Sequence, residues 1–173
     1  KEKLKTPFTK EEKTLIALVN DYDSYELKLP ESKKLHFLFN TFEGDKLLKF
    51  YNTFANGFLG FTPLQENTIN NIINKINSTF SSLKVFKGNI KIGGVDAIIC
   101  SAFNNIFPSE ICDMIIQAYE CDIAISVNLN SSSVSIRKNK NCNINLGKFA
   151  KKVFEGGGDG CVAGGKITKT FLE

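Results

Sequence analysis

Apolar and polar positions follow two different rhythms along this chain. In the first half, apolar residues recur every three to four positions. Thr9-Lys-Glu-Glu12 is spaced so that each end caps the other at a helix start, and Leu15, Ile16, Leu18 and Val19 follow it. A short buried helix is expected from there to about Asn20, ending at the acidic, turn-forming Asp21-Tyr-Asp-Ser-Tyr25. Residues 32–59, rich in Phe, Leu and Lys, predict one or two amphipathic helices, interrupted by Gly57 and Gly60. Thr62-Pro63-Leu-Gln65 is a second capped start with proline at the first helical position. Ile69, Ile72, Ile73, Ile76 and Phe80 then share one helical stripe.

From Leu83 the rhythm shortens. Leu83–Gly88 and Val95–Cys100 read as strands separated by a Gly93-Gly94 turn. Pro108 and Ser109 start a helix with the stripe Ile111, Met114, Ile115, Ala118 and Tyr119. Asp122–Leu129 and Ser133–Lys138 form a hairpin around Asn130-Ser131-Ser132. Leu146, Phe149, Ala150 and Val153 mark a last helix, a glycine run follows, and Lys166–Leu172 reads as a closing strand. The expected fold class is α/β. A helical segment spans residues 1–80, and a small domain with a mixed β-sheet flanked by helices spans 81–173, with the boundary near Ser78–Ser82.

Composition narrows the class. With 42% hydrophobic and 23% charged residues, the 173-residue chain suits a soluble globular protein, and its 15 Phe without Trp predict a Phe-rich core. No apolar run approaches the roughly 18–20 residues a membrane span needs. The start has no initiator Met and no signal-peptide core, which reads as a fragment. Five cysteines without a Cys-x2-Cys pair argue against zinc and a disulfide framework, so reduced thiols in a cytoplasm are expected. The net charge of +4 is unevenly placed. Arg137, Lys138, Lys140, Lys148, Lys151, Lys152, Lys166 and Lys169 face only Glu155, Asp159 and Glu173 in the last quarter. A basic, glycine-rich end points to a phosphate-bearing partner.

The glycine run carries the candidate chemistry. Six of the ten residues of the stretch Gly156-Gly-Gly-Asp-Gly-Cys-Val-Ala-Gly-Gly165 are glycine, which lets the backbone approach a ligand closely. Successive N–H groups in such turns form an anion-binding concavity. Lys148, Lys151 and Lys152 on the preceding helix add positive charge. The run lacks the Walker Gly-Lys-Ser/Thr, and it follows a helix, unlike the dinucleotide fingerprint. His36, the single histidine, lies in Leu-His-Phe-Leu-Phe and reads as packing. No nucleophilic triad is available.

Val-Ser-Ile-Arg137, then Ile144-Asn-Leu-Gly-Lys-Phe-Ala-Lys-Lys-Val-Phe, then the glycine run together resemble the substrate-binding domain of DHH (Asp-His-His) phosphoesterases. The resemblance covers about thirty residues closely and ninety loosely. It implies that Arg137 contacts a substrate phosphate and that Gly156, Gly157, Gly158, Asp159, Gly164 and Gly165 line the substrate. The family has His where this chain has Asp159, and Ala where it has Val162. Leu18-Val-Asn-Asp-Tyr-Asp-Ser-Tyr-Glu-Leu is similar to the last catalytic motif of one subset of the family. That similarity implies Asp21, or else Asp23, as one ligand of a two-metal site holding Mn2+ or Mg2+, mostly bound by residues outside this chain. The implied activity is hydrolysis of phosphodiester bonds in short oligonucleotides, single-stranded nucleic acid or cyclic dinucleotides. The missing metal motifs and Asp159 leave open a non-catalytic nucleotide- or nucleic-acid-binding module with a degenerate phosphate loop. The expected partner is a nucleotide, oligonucleotide or single-stranded nucleic acid, with a homodimer as an option and no membrane.

Overall fold

The computed structural model describes residues 7–167. The chain divides into two compact units, Lys1–Asn74 and Lys75–Glu173. The first is helical: α1 (Lys10–Asp23), α2 (Pro30–Thr41), α3 (Lys46–Thr53) and the start of α4 (Pro63–Ser81), within which the unit boundary falls.

Both expected capping boxes form. Thr9 N–H donates to Glu12 Oε2 at 2.7 Å, and Glu12 N–H to Thr9 Oγ1 at 3.1 Å. Thr62 and Gln65 exchange the equivalent bonds at 2.8 and 3.3 Å. The region 32–59 holds two helices, and Asp45 caps the second by accepting from Leu48 N–H at 3.0 Å. α1 runs one turn further than its apolar stripe, to Asp23, because Asp21 finds partners beyond the helix end that hold that turn closed. Leu18, Leu35, Phe37, Leu38, Phe54 and Ile69 are buried in this unit. Phe39, Phe50, Phe54, Phe58 and Phe61 form a chain of ring contacts with centroids 5.0–6.2 Å apart. Gly57 lets the α3–α4 link press on α1: at φ +81 a Cβ would lie 2.3 Å from the Glu11 carbonyl carbon.

The second unit is a six-stranded mixed sheet in the order β1-β2-β3-β4-β6-β5. Its strands are β1 (Val85–Ile92), β2 (Val95–Phe103), β3 (Ile123–Asn128), β4 (Ser133–Lys138), β5 (Gly157–Gly158) and β6 (Val162–Lys166). Among the described residues, only β2 and β3 pair in parallel, and α5 (Pro108–Tyr119) is their crossover. α6 (Leu146–Val153) follows β4. Alternation along the strands splits the sheet into two faces. Ile123, Ile125, Val134, Ile136 and Ala163 join Leu146, Phe149, Ala150 and Phe154 in one core under α6. On the opposite face α5 packs on β2, β3 and β4, burying Ile111, Cys112 and Ile115.

One described strand was not expected from the sequence. The last described strand is Val162–Lys166 rather than Lys166–Leu172, and residues 168–172 lie outside the described residues. Glycine lowers β propensity in the sequence pattern. Here it is what permits the strand: two backbones and α6 meet closer than side chains allow.

Candidate functional site

Val134 and Ile136 face α6, so Ser133, Ser135 and Arg137 face the α5 side. Ser135 pairs with Gly164, and Gly164 with Gly157. The row Ser135–Gly164–Gly157 therefore crosses β4, β6 and β5 with no side chain larger than a hydroxymethyl. α5 packs chiefly on β3 and β4 rather than on β5 and β6, and Gly157 is exposed, with nothing within 4 Å of a Cβ built there. The result is a backbone shelf at the sheet edge.

Arg137 stands at the inner end of this shelf, only 8% exposed. Its Nη2 donates to Ser109 Oγ at 2.6 Å and its Nη1 to the Ile136 carbonyl at 2.9 Å. Ser109 belongs to the first turn of α5, where the helix dipole is positive. Asn104 fixes the turn that leads there. Its N–H donates to the Val127 carbonyl at 2.9 Å, and its side-chain amide donates to the Ile106 carbonyl and to Ser126 Oγ. Buried Ser126 and Asn104 carry this support, and neither was among the residues expected from the sequence. Their partners are 22 or more residues away, or are backbone atoms that only the turn brings close.

The glycine run folds as a tight hairpin, β5 against β6, packed on α6. A Cβ at Gly156 would lie 1.9 Å from the Gly164 oxygen, and one at Gly158 2.2 Å from the Val162 oxygen. The run does not present an open nest of N–H groups. Gly156 N–H bonds the Ala150 carbonyl, Asp159 N–H the Val162 carbonyl, and the amides of Cys161 and Val162 point at Asp159. What the glycines open is the flat shelf on the α5 side, at Gly157 and Gly164.

Asp159 closes the hairpin. Its Oδ1 accepts from Cys161 N–H at 2.6 Å and Val162 N–H at 2.7 Å, and its carbonyl accepts from Gly147 N–H at 2.7 Å. Those two amide bonds hold its carboxyl below the usual carboxylate range, helped by the charges of Arg137 and Lys138. This exposed aspartate is therefore ionised at neutral pH. Cys112, beside Arg137, is not a nucleophile: burial pushes its thiol up to about 12 despite the guanidinium.

Asp21 lies in the first unit, on α1, and is 6% exposed. Its Oδ1 accepts from Lys28 N–H at 2.9 Å. Its Oδ2 accepts from Leu29 N–H at 3.1 Å and from the Ser32 hydroxyl at 2.6 Å. The Ser32 hydrogen bond, followed by those two amides, holds its carboxyl low against the effect of burial. This carboxylate ties the end of α1 to the link before α2 and to Ser32 in its first turn. Among the described residues, no group of three or more His, Cys, Asp or Glu gathers to hold a metal ion. With its lone pairs directed at three protein donors, Asp21 and its neighbours do not by themselves fit a metal centre. Asp23, two residues on, is exposed. His36 stacks on Tyr22 with ring centroids 3.8 Å apart and planes 13° apart, and its Nε2 lies 2.7 Å from Asn40 Nδ2. Burial lowers its pKa to about 4, so the ring is neutral. Among the described residues, no helix is long and apolar enough to cross a membrane.

No protein-family model matches the chain, and no curated protein matches it in sequence. Among solved structures it is similar to the pGpG-specific phosphodiesterase PggH from Vibrio cholerae. Identity is 13% and the TM-score 0.55, and the match covers 95% of this chain and 64% of that one. An uncharacterized protein from Helicobacter pylori G27 aligns at 15% identity and a TM-score of 0.38, over 91% of this chain and 54% of its own. The chain thus spans between half and two thirds of the length of both proteins. At this identity, the likeness to PggH is one of fold.

Proposed function

We propose that this chain is the substrate-binding, C-terminal part of a metal-dependent DHH-type phosphoesterase. The parent protein hydrolyses phosphodiester bonds in short oligonucleotides, single-stranded nucleic acid or cyclic dinucleotides. The observation that carries this reading is the shelf Ser135–Gly164–Gly157, which runs to the sheet edge from Ser135, two residues before Arg137 on the same face of β4. A bare backbone admits a phosphate or sugar to van der Waals distance. The Arg137 guanidinium at its inner end supplies the positive charge and planar donors that a phosphate requires. Asp159, ionised at the hairpin turn, repels a second phosphate and accepts hydrogen bonds from a base or a ribose hydroxyl. The chain's own residues thus bind and orient the substrate. Mn2+ or Mg2+, held by residues outside this chain, supplies the activated water when bound. The shared fold with PggH makes a linear dinucleotide the first substrate to test.

One observation favours a second reading. The Asp21 carboxylate is taken up by Lys28, Leu29 and Ser32, as a nucleotide-binding module without hydrolytic activity would allow.

The test is fluorescence anisotropy with labelled pGpG at two salt concentrations. Binding should weaken as salt rises, because phosphate contacts release counterions. Gly157→Glu, which fills the open shelf with a negative side chain, should weaken binding at least tenfold, about 1.4 kcal/mol. Arg137→Gln should do the same. Salt-insensitive binding, or affinity unmoved by both changes, overturns the proposal. Turnover of pGpG by the full-length protein with Mn2+ selects the first reading, and tight binding without turnover selects the second.

A further inference from the structure

A cleft of about 320 Å³ opens between α1, α2 and α3 in the first unit, well away in sequence from the residues of the proposed substrate shelf. Its walls are apolar, built from Leu18, Leu35, Phe39 and Phe50. The stacked pair Tyr22–His36 forms one side, and Asp23 stands beside it. Such a volume lies at the lower end of the range for small-molecule sites, about 300–1,000 Å³.

Two polar groups line this cleft with complementary roles. Asp23 is exposed, and its carboxylate has no hydrogen-bond partner among the described residues. It is an acceptor only. His36 receives Asn40 Nδ2 at Nε2, which places the ring proton on Nδ1. Among the described residues Nδ1 has no protein partner and no buried side-chain nitrogen or oxygen lacks one, so Nδ1 is reached by solvent. Asp23 is close enough for its charge to act on His36. An acceptor, Asp23, and a histidine donor thus both belong to the lining of an apolar slot with an aromatic side.

We infer that this cleft binds a flat nitrogen heteroaromatic ring carrying an exocyclic amino group, of the aminopurine class. The amino group donates to Asp23, the adjacent ring nitrogen accepts from His36 Nδ1–H, and the ring lies against the apolar walls. A ring that lacks the amino group and has only acceptor nitrogens offers the Asp23 carboxylate no donor and is rejected. The inference uses no residue of the phosphate-binding shelf.

The probe is 2-aminopurine riboside, a fluorescent nucleoside without phosphate. The chain has no Trp, so the probe's emission is read without overlap. Titration of the full chain should give saturable quenching. Asp23→Asn should weaken binding at least tenfold, and Val19→Phe, which fills the cleft from its half-open rim, should abolish it. Both positions are exposed, and circular dichroism should show an unchanged fold. Adenosine should displace the probe, whereas purine riboside, which lacks the amino group, should not. Absence of saturable quenching, equal affinity in Asp23→Asn, or equally strong displacement by purine riboside overturns the inference. Loss of quenching in Arg137→Gln but not in Asp23→Asn also overturns it and leaves the shelf proposal standing. Failure of pGpG binding with intact quenching has the opposite meaning.

Discussion

Arg137 on β4 donates to the hydroxyl of Ser109 on α5 at 2.6 Å, joining the sheet to the first turn of the crossover helix across 28 residues of sequence. The guanidinium is almost fully buried, and the hydroxyl is one of the groups that fixes where its charge stands beside the glycine shelf. A hydrogen bond to a charged group contributes about 1.5–3 kcal/mol. Ser109→Ala should lower unfolding free energy by about that amount in urea titrations, and Ser109→Thr should restore most of it.

The glycines divide by what surrounds them. Gly156→Ala and Gly158→Ala force a methyl into backbone of the facing strand, and should each destabilise by roughly 1–3 kcal/mol or more. Gly157→Ala meets nothing and should leave stability within about 0.5 kcal/mol. If that methyl sits on the substrate shelf, pGpG affinity should nonetheless fall. Thermal midpoints and anisotropy on the same three variants check both halves of the expectation.

Acid should weaken the first unit in two stages. The folded-state pKa of His36 is depressed to about 4 from 6.5, because burial favours the neutral ring. The unfolded chain therefore binds the proton more readily between those values. Stability from this group is full above pH 6.5 and is lost as pH falls toward 4. Asp21 is also depressed, by Ser32 and the Lys28 and Leu29 amides. Its contribution is present above its ordinary value of 3.8 and is lost as pH falls through its folded pKa. His36→Phe keeps a ring against Tyr22 and should flatten the stability profile between pH 6.5 and 4, leaving the lower step in place. Urea midpoints across that range provide the measurement.

Asp21 has a role that needs no metal. Asp21→Ala leaves the amides of Lys28 and Leu29 and the Ser32 hydroxyl without their common acceptor. It should lower the thermal midpoint in metal-free buffer containing a chelator, and Ser32→Ala should lower it by less. A midpoint that changes only when Mn2+ is present would return Asp21 to a ligand role.

Much of this architecture was legible in the chain. Capping boxes at Thr9 and Thr62 depend on contacts three residues apart, and hydrophobic period separated the helical half from the sheet half. The Gly93-Gly94 turn and the Asn130-Ser131-Ser132 hairpin were equally local signals. Arg137 and the glycine run were recognisable by residue type and order, and the fold brings them together at one sheet edge.

What the sequence determined by itself is therefore the set of elements, their order and the residue types available for binding. Tertiary structure decided which atoms those residues have left to offer. The run Gly156–Gly165 reads as a loop of free amides until the hairpin consumes most of them and opens a shelf instead. Asp21 stands out by its motif, but only the fold shows that the Ser32 hydroxyl, eleven residues on, donates to its carboxylate. Asp159 reads as a departure from a binding motif until two amides turn it into the closure of a strand turn. In each case the physical reason is the same: a polar group's partners are set by packing in space, which the spacing of residues along the chain does not record.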